Sequence, residues 1–154
     1  MEKESWYIAV VGAASCTPEE ETLAYHVGYE VARRGAILLC GGRGGVMAAA
    51  ARGARDGGGL AVGILPGNDR SAANPYLHVA LATGLGDARN AVIACAADAM
   101  IAVGGGYGTL SEVALALKKG KPVVGLAFSF PEIRGVQMAE NPQAAVELAL
   151  KRKT

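Results

Sequence analysis

Ten residues, Val103-Gly104-Gly105-Gly106-Tyr107-Gly108-Thr109-Leu110-Ser111-Glu112, constrain this chain more than any other stretch. The apolar run Ala99–Val103 before them has the length and continuity of a strand buried on both faces. After them Leu110, Val113, Ala114 and Leu117 recur at helical spacing up to Lys118-Lys119-Gly120. Strand, glycine turn and helix start follow one another without a spacer. Glycines let backbone N–H groups approach a ligand, and the new helix points the positive end of its dipole at the same place. The pattern reads as an anion site, foremost for phosphate, with Gly105, Gly106, Tyr107, Gly108 and Thr109 around it. A local alternative stands beside it: Thr109 as N-cap with Glu112 reaching back composes a capping box. The spacing fits neither G-x-G-x-x-G nor a P-loop, because Gly120-Lys121-Pro122 lacks the hydroxyl residue. Ordinary dinucleotide and ATP sites are therefore disfavoured.

The rest of the chain repeats the strand–helix alternation. Trp6–Val11 reads as a first strand, and the small-residue loop Gly12-Ala13-Ala14-Ser15 at its end is a candidate lining for a ligand crevice. Thr17-Pro18-Glu19-Glu20 is a helix start, with Thr17 as cap, Pro18 at the first position and Glu20 closing the box. Leu23, Ala24, Val27 and Val31 form that helix's buried stripe, and His26 lies off it as a solvated side chain. Ala36–Cys40 is a second strand, followed by a second glycine loop, Gly41-Gly42-Arg43-Gly44-Gly45, and an alanine-rich helix from Val46 to Arg55. Loops at the carboxyl ends of parallel strands converge on one crevice, which adds Gly12, Gly41, Gly42, Gly44 and Gly45 to the ligand-binding candidates.

Gly58–Leu65 is a third strand, and the polar loop Pro66–Pro75 after it is either a lid or a surface connection. Tyr76–Leu81 reads as a short strand, with His78 structural. Asp87 is the expected cap of a helix whose residues Ala91–Ala97 are apolar on nearly every side, so a sheet and a second subunit are expected to cover it. Arg89, in its first turn, opposes the helix dipole unless it faces a bound anion, to which Arg forks well. Lys121–Leu126 is the last strand, and residues 128–138 show no period. Asn141-Pro142 opens a terminal helix whose Lys151-Arg152-Lys153 complements its dipole. The order gives an α/β fold: one Rossmann-like three-layer nucleotide- or phosphate-binding domain over residues 1–154, with a mainly parallel sheet.

Bulk properties narrow the function classes. With 15 Lys+Arg against 14 Asp+Glu, neither nucleic acid nor an anionic membrane is indicated as partner. No apolar run is long enough to span a bilayer. Three widely spaced cysteines, Cys16, Cys40 and Cys95, suit neither a disulfide framework nor a metal site, and a reducing cytoplasm is the expected location.

The Gly104–Glu112 motif resembles the superfamily labelled lysine decarboxylase-like, which includes the Lonely-Guy cytokinin-activating enzymes with their signature P-G-G-x-G-T-x-x-E. The likeness extends over nearly the whole chain: Gly41–Met47 resembles the superfamily's second glycine motif, and Arg89 the arginine before the signature. It implies cleavage of the N-glycosidic bond of a nucleoside 5′-monophosphate, with Arg89 and Glu112 as catalytic pair and Gly106, Gly108 and Thr109 holding the phosphate. Two positions depart. Gly104 stands for the leading proline, and Asn90 for the lysine that follows the arginine. Gly-Asp-Ala-Arg-Asn followed by Gly-Gly-Gly-Tyr-Gly-Thr is similar to another branch, of uncharacterised bacterial proteins and molybdenum cofactor carriers, which bind and do not hydrolyse. That likeness implies a phosphorylated small molecule as partner, molybdenum cofactor as cargo, no required resident cofactor, and a homodimer or homotetramer. The decarboxylase label has no support, because no lysine stands in a Schiff-base setting for pyridoxal phosphate.

Overall fold

A computed structural model describes residues 5–151. Seven strands form one sheet: β1 (Tyr7–Val11), β2 (Ile37–Cys40), β3 (Ala61–Leu65), β4 (Val79–Ala82), β5 (Ala99–Val103), β6 (Val123–Leu126) and β7 (Val136–Ala139). Their order is β4-β3-β2-β1-β5-β6-β7, and every adjacent pair is parallel. The helices are α1 (Pro18–Arg33), α2 (Val46–Asp56), α3 (Arg89–Ala96), α4 (Tyr107–Lys118) and α5 (Pro142–Leu150). This is the single-domain α/β architecture that the alternation predicts, with a wholly parallel described sheet.

Alternate residues of each central strand serve opposite faces, as the two-residue strand period requires. On β1, Ile8 and Val10 join a core with α1, α2 and α5, while Ala9 and Val11 join one with α3 and α4. The centre is therefore buried on both faces, and β5 is buried along its full length. Small residues bring the helix layer close. A Cβ on Gly28 of α1 would strike the Ala50 carbonyl of α2, and one on Gly53 of α2 would strike the Tyr25 carbonyl of α1.

Three features differ from the sequence reading. Residues 136–139 form a seventh strand at the sheet edge, paired with β6. Tyr76–Leu81 is replaced by β4 at Val79–Ala82, on the opposite edge, where His78 Nδ1 accepts the Ala61 N–H at 3.1 Å and is structural as expected. Asp87 does not cap α3; it lies in a single 3-10 turn, Gly86–Ala88, that runs straight into the helix. As read from its apolar sequence, α3 packs on the sheet; it also packs on α4, and Cys95 and Ala96 are exposed in the single chain. His26 is exposed, α5 starts at Asn141 as read, and Arg152 and Lys153 lie outside the described residues.

The chain steps outward from β1 through β2, β3 and β4, then returns to place β5 on the other side of β1. Strand order therefore reverses between β1 and β5. In such sheets the crevice outside the carboxyl ends at that reversal is where ligands bind.

Candidate functional site

A cleft of about 250 Å³ opens at this reversal point, lined by the loop Gly12–Ala14, by Arg43 and Met47 after β2, by Asp87, Arg89 and Asn90 around the start of α3, and by Gly106, Gly108, Thr109 and Glu112 of α4. Both glycine loops stand at the same edge of the sheet, after β2 and β5, with Gly12 after β1 between them.

The helix starts explain the local sequence. α4 begins three residues earlier than the capping-box alternative requires: Gly106 is its N-cap, and no side chain caps it. Thr109 and Glu112 therefore lie inside the helix, both buried, at 3% and 8% exposure. Three glycines make the early start possible, since Gly104 and Gly105 take φ +57° and +98° before Gly106 enters the helix. The Gly104 conformation is closed to proline, whose ring fixes φ near about −65°, and the Glu20 carboxylate lies where a Cβ would go. That is the physical reason for glycine at the first departing position. α2 also starts on a glycine: Gly45, φ +61°, has no side-chain cap, and the Val46 N–H goes to the Ala13 carbonyl.

The remaining candidates fall into two groups. Gly12 lines the cleft in tight packing, where a Cβ would come within 2.6 Å of Val46 and 2.7 Å of the Val103 carbonyl. Gly41 acts through its carbonyl, which accepts from Arg89 Nη1 at 2.7 Å; the same nitrogen donates to the Ile64 carbonyl at 2.9 Å. Gly42, Gly44, Gly45 and Gly105 shape the loops without lining the cleft. Tyr107 is 85% exposed beside the cleft, its ring tilted against Phe130 at 6.4 Å. The Pro66–Pro75 loop is anchored to the second glycine loop, because Asn74 donates to the carbonyls of Gly42 and Arg43, each at 2.9 Å.

Arg89 and Glu112 act on each other electrostatically but form no hydrogen bond or ion pair, and burial shifts the two in opposite senses. Burial lowers the Arg89 pKa, partly offset by Glu112. Burial raises that of Glu112 to about 7, against the lowering influence of Arg89. Asn90 is 8% exposed and donates from Nδ2 to Ser111 Oγ at 2.9 Å, and Ser111 donates onward to the Gly108 carbonyl at 2.7 Å. This relay braces α3 against the first turn of α4. Asn90 Oδ1 and Arg89 Nε are buried without partners, a condition that costs roughly 1–3 kcal/mol per group.

Arg43, Met47 and Asp87 line the cleft although the sequence reading gave them no role there. A charged side chain between glycine pairs marks Arg43, and a carboxylate two residues before Arg89 marks Asp87. Met47 carries no such signal.

Similar proteins agree on this architecture. The solved molybdenum cofactor binding protein of Rippkaea orientalis superposes with a TM-score of 0.90 at 39% identity, covering 96% of each chain. The molybdenum cofactor carrier protein of Chlamydomonas reinhardtii gives 0.85 at 35% identity, over 96% of this chain and 100% of its own. An uncharacterised protein of Archaeoglobus fulgidus is 45% identical over 93% of both chains. A probable cytokinin riboside 5′-monophosphate phosphoribohydrolase of Oryza sativa is 35% identical over 60% of this chain and only 39% of its own. The model of the SLOG cluster4 family matches residues 5–153, and the chain belongs to that family, within the superfamily that its Gly104–Glu112 motif resembles.

Proposed function

We propose that this protein binds and carries a phosphorylated, nucleotide-like small molecule, with molybdenum cofactor as the candidate cargo. The observation that carries this is the meeting of two helix starts, α2 and α4, each on a glycine without a side-chain cap, at the crevice of the sheet. The uncapped first-turn N–H groups of α4 and the dipoles of both helices favour an anion there. In this reading the main chain at Gly106, Gly108 and Thr109 holds the phosphate, and Gly12, Gly41, Gly42, Gly44, Gly45 and Gly105 give the backbone its close approach. Arg43 and Arg89 supply positive charge. The cleft of about 250 Å³ is below the roughly 300–1,000 Å³ of sites for drug-sized ligands. It suits the phosphate-bearing end, while the rest of the ligand extends over the rim toward Tyr107 and residues 69–74. The similarity to two molybdenum cofactor proteins supports the cargo.

Hydrolysis of a nucleoside 5′-monophosphate at the N-glycosidic bond is the alternative. Asp87 favours it, because it joins Glu112 in the cleft as a second carboxyl, the kind of pair glycosidic cleavage uses. Glu112 would stabilise oxocarbenium-like charge and Arg89 orient it. Against it stands Asn90, an amide where the enzymes have a cation.

Native mass spectrometry of the purified protein separates these readings. A retained phosphorylated compound, lost in Gly106→Asp, is expected; free base released from a nucleoside monophosphate at about one turnover per second or more, abolished by Glu112→Gln, would replace carriage with hydrolysis. The exposed face of α3 supports a homodimer or homotetramer, and a monomer by light scattering at micromolar concentration would refute that.

A further inference from the structure

Glu112 presents a charge conflict. Its side chain is largely buried in α4 and lines the cleft, and no hydrogen bond or ion pair fixes its carboxyl among the described residues. The elements around it bring few ionisable groups. Arg89 reaches it from α3, but Arg89 Nη1 is committed to the Gly41 and Ile64 carbonyls. Asp87 stands in the turn before α3 and Arg43 in the loop after β2, both on the cleft wall. At the end of β2 the buried Cys40 thiol is pushed up to about 12 and is neutral. The Gly12–Ala14 loop and β5 carry no ionisable side chain.

Helix geometry then sets the distance to the proposed anion. Thr109, in the open first turn, and Glu112 are three residues apart, on one face of α4 and about 4.5 Å apart along its axis. An ionised Glu112 would place a second negative charge under the anion in a partly buried site, where like charges cannot both persist at little cost.

We propose that the cleft binds its anion together with one proton, taken from solvent by the Glu112 carboxylate and returned when the anion leaves. The proposal rests on the anion-binding reading and assigns regulation to the same cleft. Burial, against the lowering influence of Arg89, already holds Glu112 at about 7, and a neighbouring anion raises it further. Below that value the proton is in place and affinity is flat. Above it the proton has to be recruited, and affinity falls about tenfold per pH unit until the carboxyl of the bound state ionises too. A carrier built this way holds its cargo in mildly acidic to neutral surroundings and loosens as pH rises.

Sulfate is the appropriate probe, because it does not itself titrate in this range. Calorimetry at pH 8 in buffers of different ionisation enthalpy is expected to show close to one proton taken up per sulfate bound. Between pH 7.5 and 8.5 the dissociation constant should rise about tenfold, and Glu112→Gln should bind with the pH 6 affinity of the wild type throughout. Carbon-13 labelling of the glutamate carboxyls gives a second readout in the unsubstituted protein, where the Glu112 resonance should titrate at higher pH with sulfate than without. Binding without proton uptake, or uptake that persists in Glu112→Gln, overturns the proposal while sparing the anion site. Failure of sulfate to bind at any pH from 6 to 9 overturns both.

Discussion

Two helices start after adjacent strands of this sheet and are built in opposite ways. After β1, α1 is closed by its own sequence: Thr17 Oγ1 accepts the Glu20 N–H at 3.1 Å, Glu20 Oε1 accepts the Thr17 N–H at 3.0 Å, and Pro18 removes a further donor. After β5, α4 starts on Gly106 with nothing in the sequence to satisfy its first turn. The two carboxylates differ in the same sense. Glu20 is held by a backbone donor at the helix start, whereas Glu112 is buried beside the cleft with no donor. A helix end that only has to be stable is capped from within. One left open at a crevice keeps its N–H groups available to something from outside. The two meet at Gly104, against which the Glu20 carboxylate packs, so the closed start supports the turn that leaves the other open.

Converting the open start into a closed one should have the largest effect. Gly106 has backbone angles open to any residue, and no atom lies within 4 Å of an added Cβ. Gly106→Asp should therefore fold, changing stability by only a few tenths of a kcal/mol because Gly is itself a tolerated N-cap. Its negative charge should weaken anion binding by about 3 kcal/mol, on the order of a hundredfold. Isothermal calorimetry with inorganic phosphate measures the loss, and undiminished affinity would break the comparison.

Removing the charge of the unbonded carboxylate comes next, read in stability. Folding raises the Glu112 pKa from 4.5 to about 7, so the folded chain holds a proton that the unfolded chain has released. That contribution is fully present below pH 4.5, shrinks as pH rises toward 7, and is gone above it. Glu112→Gln should therefore match the wild type in acid and exceed it by up to roughly 3 kcal/mol at pH 8. Urea denaturation at the two pH values tests this, and equal stabilities at pH 8 would contradict it.

Opening the closed start should do least. Thr17→Ala removes one cap and should cost about 1 kcal/mol of stability while leaving phosphate affinity unchanged. A loss of affinity comparable with that of Gly106→Asp would show that the two starts do not have separate tasks.

The contrast also marks how far the sequence could be read. Period and punctuation place β1, β2, β3, β5 and β6 and the five described helices, because each has a buried stripe or a continuous apolar run. β7 escaped because Val136–Ala139 is short, partly exposed and lies at the edge, so burial imposed little pattern on it. The motif residues Gly12, Arg89, Gly106, Gly108, Thr109 and Glu112 share the cleft. The capping-box alternative at Thr109 failed because where α4 starts depends on the positive φ of Gly104 and Gly105, which residue identity permits but does not dictate. Asp87 and Asn90 owe their places to the 3-10 turn and the Ser111 relay, which are tertiary arrangements.

Amide chemical shifts compare the two helix starts in a single experiment. Titrating the uniformly nitrogen-15-labelled protein with inorganic phosphate at pH 6.5 should move the amides of Tyr107, Gly108 and Thr109 most, followed by those of the Gly12–Ala14 and Arg43–Met47 segments. The amides of Glu19, Glu20 and Glu21 in the closed first turn of α1 should stay in place. Shifts centred on α1, or spread evenly over the surface with none at residues 107–109, would contradict the assignment of the open start as the anion seat.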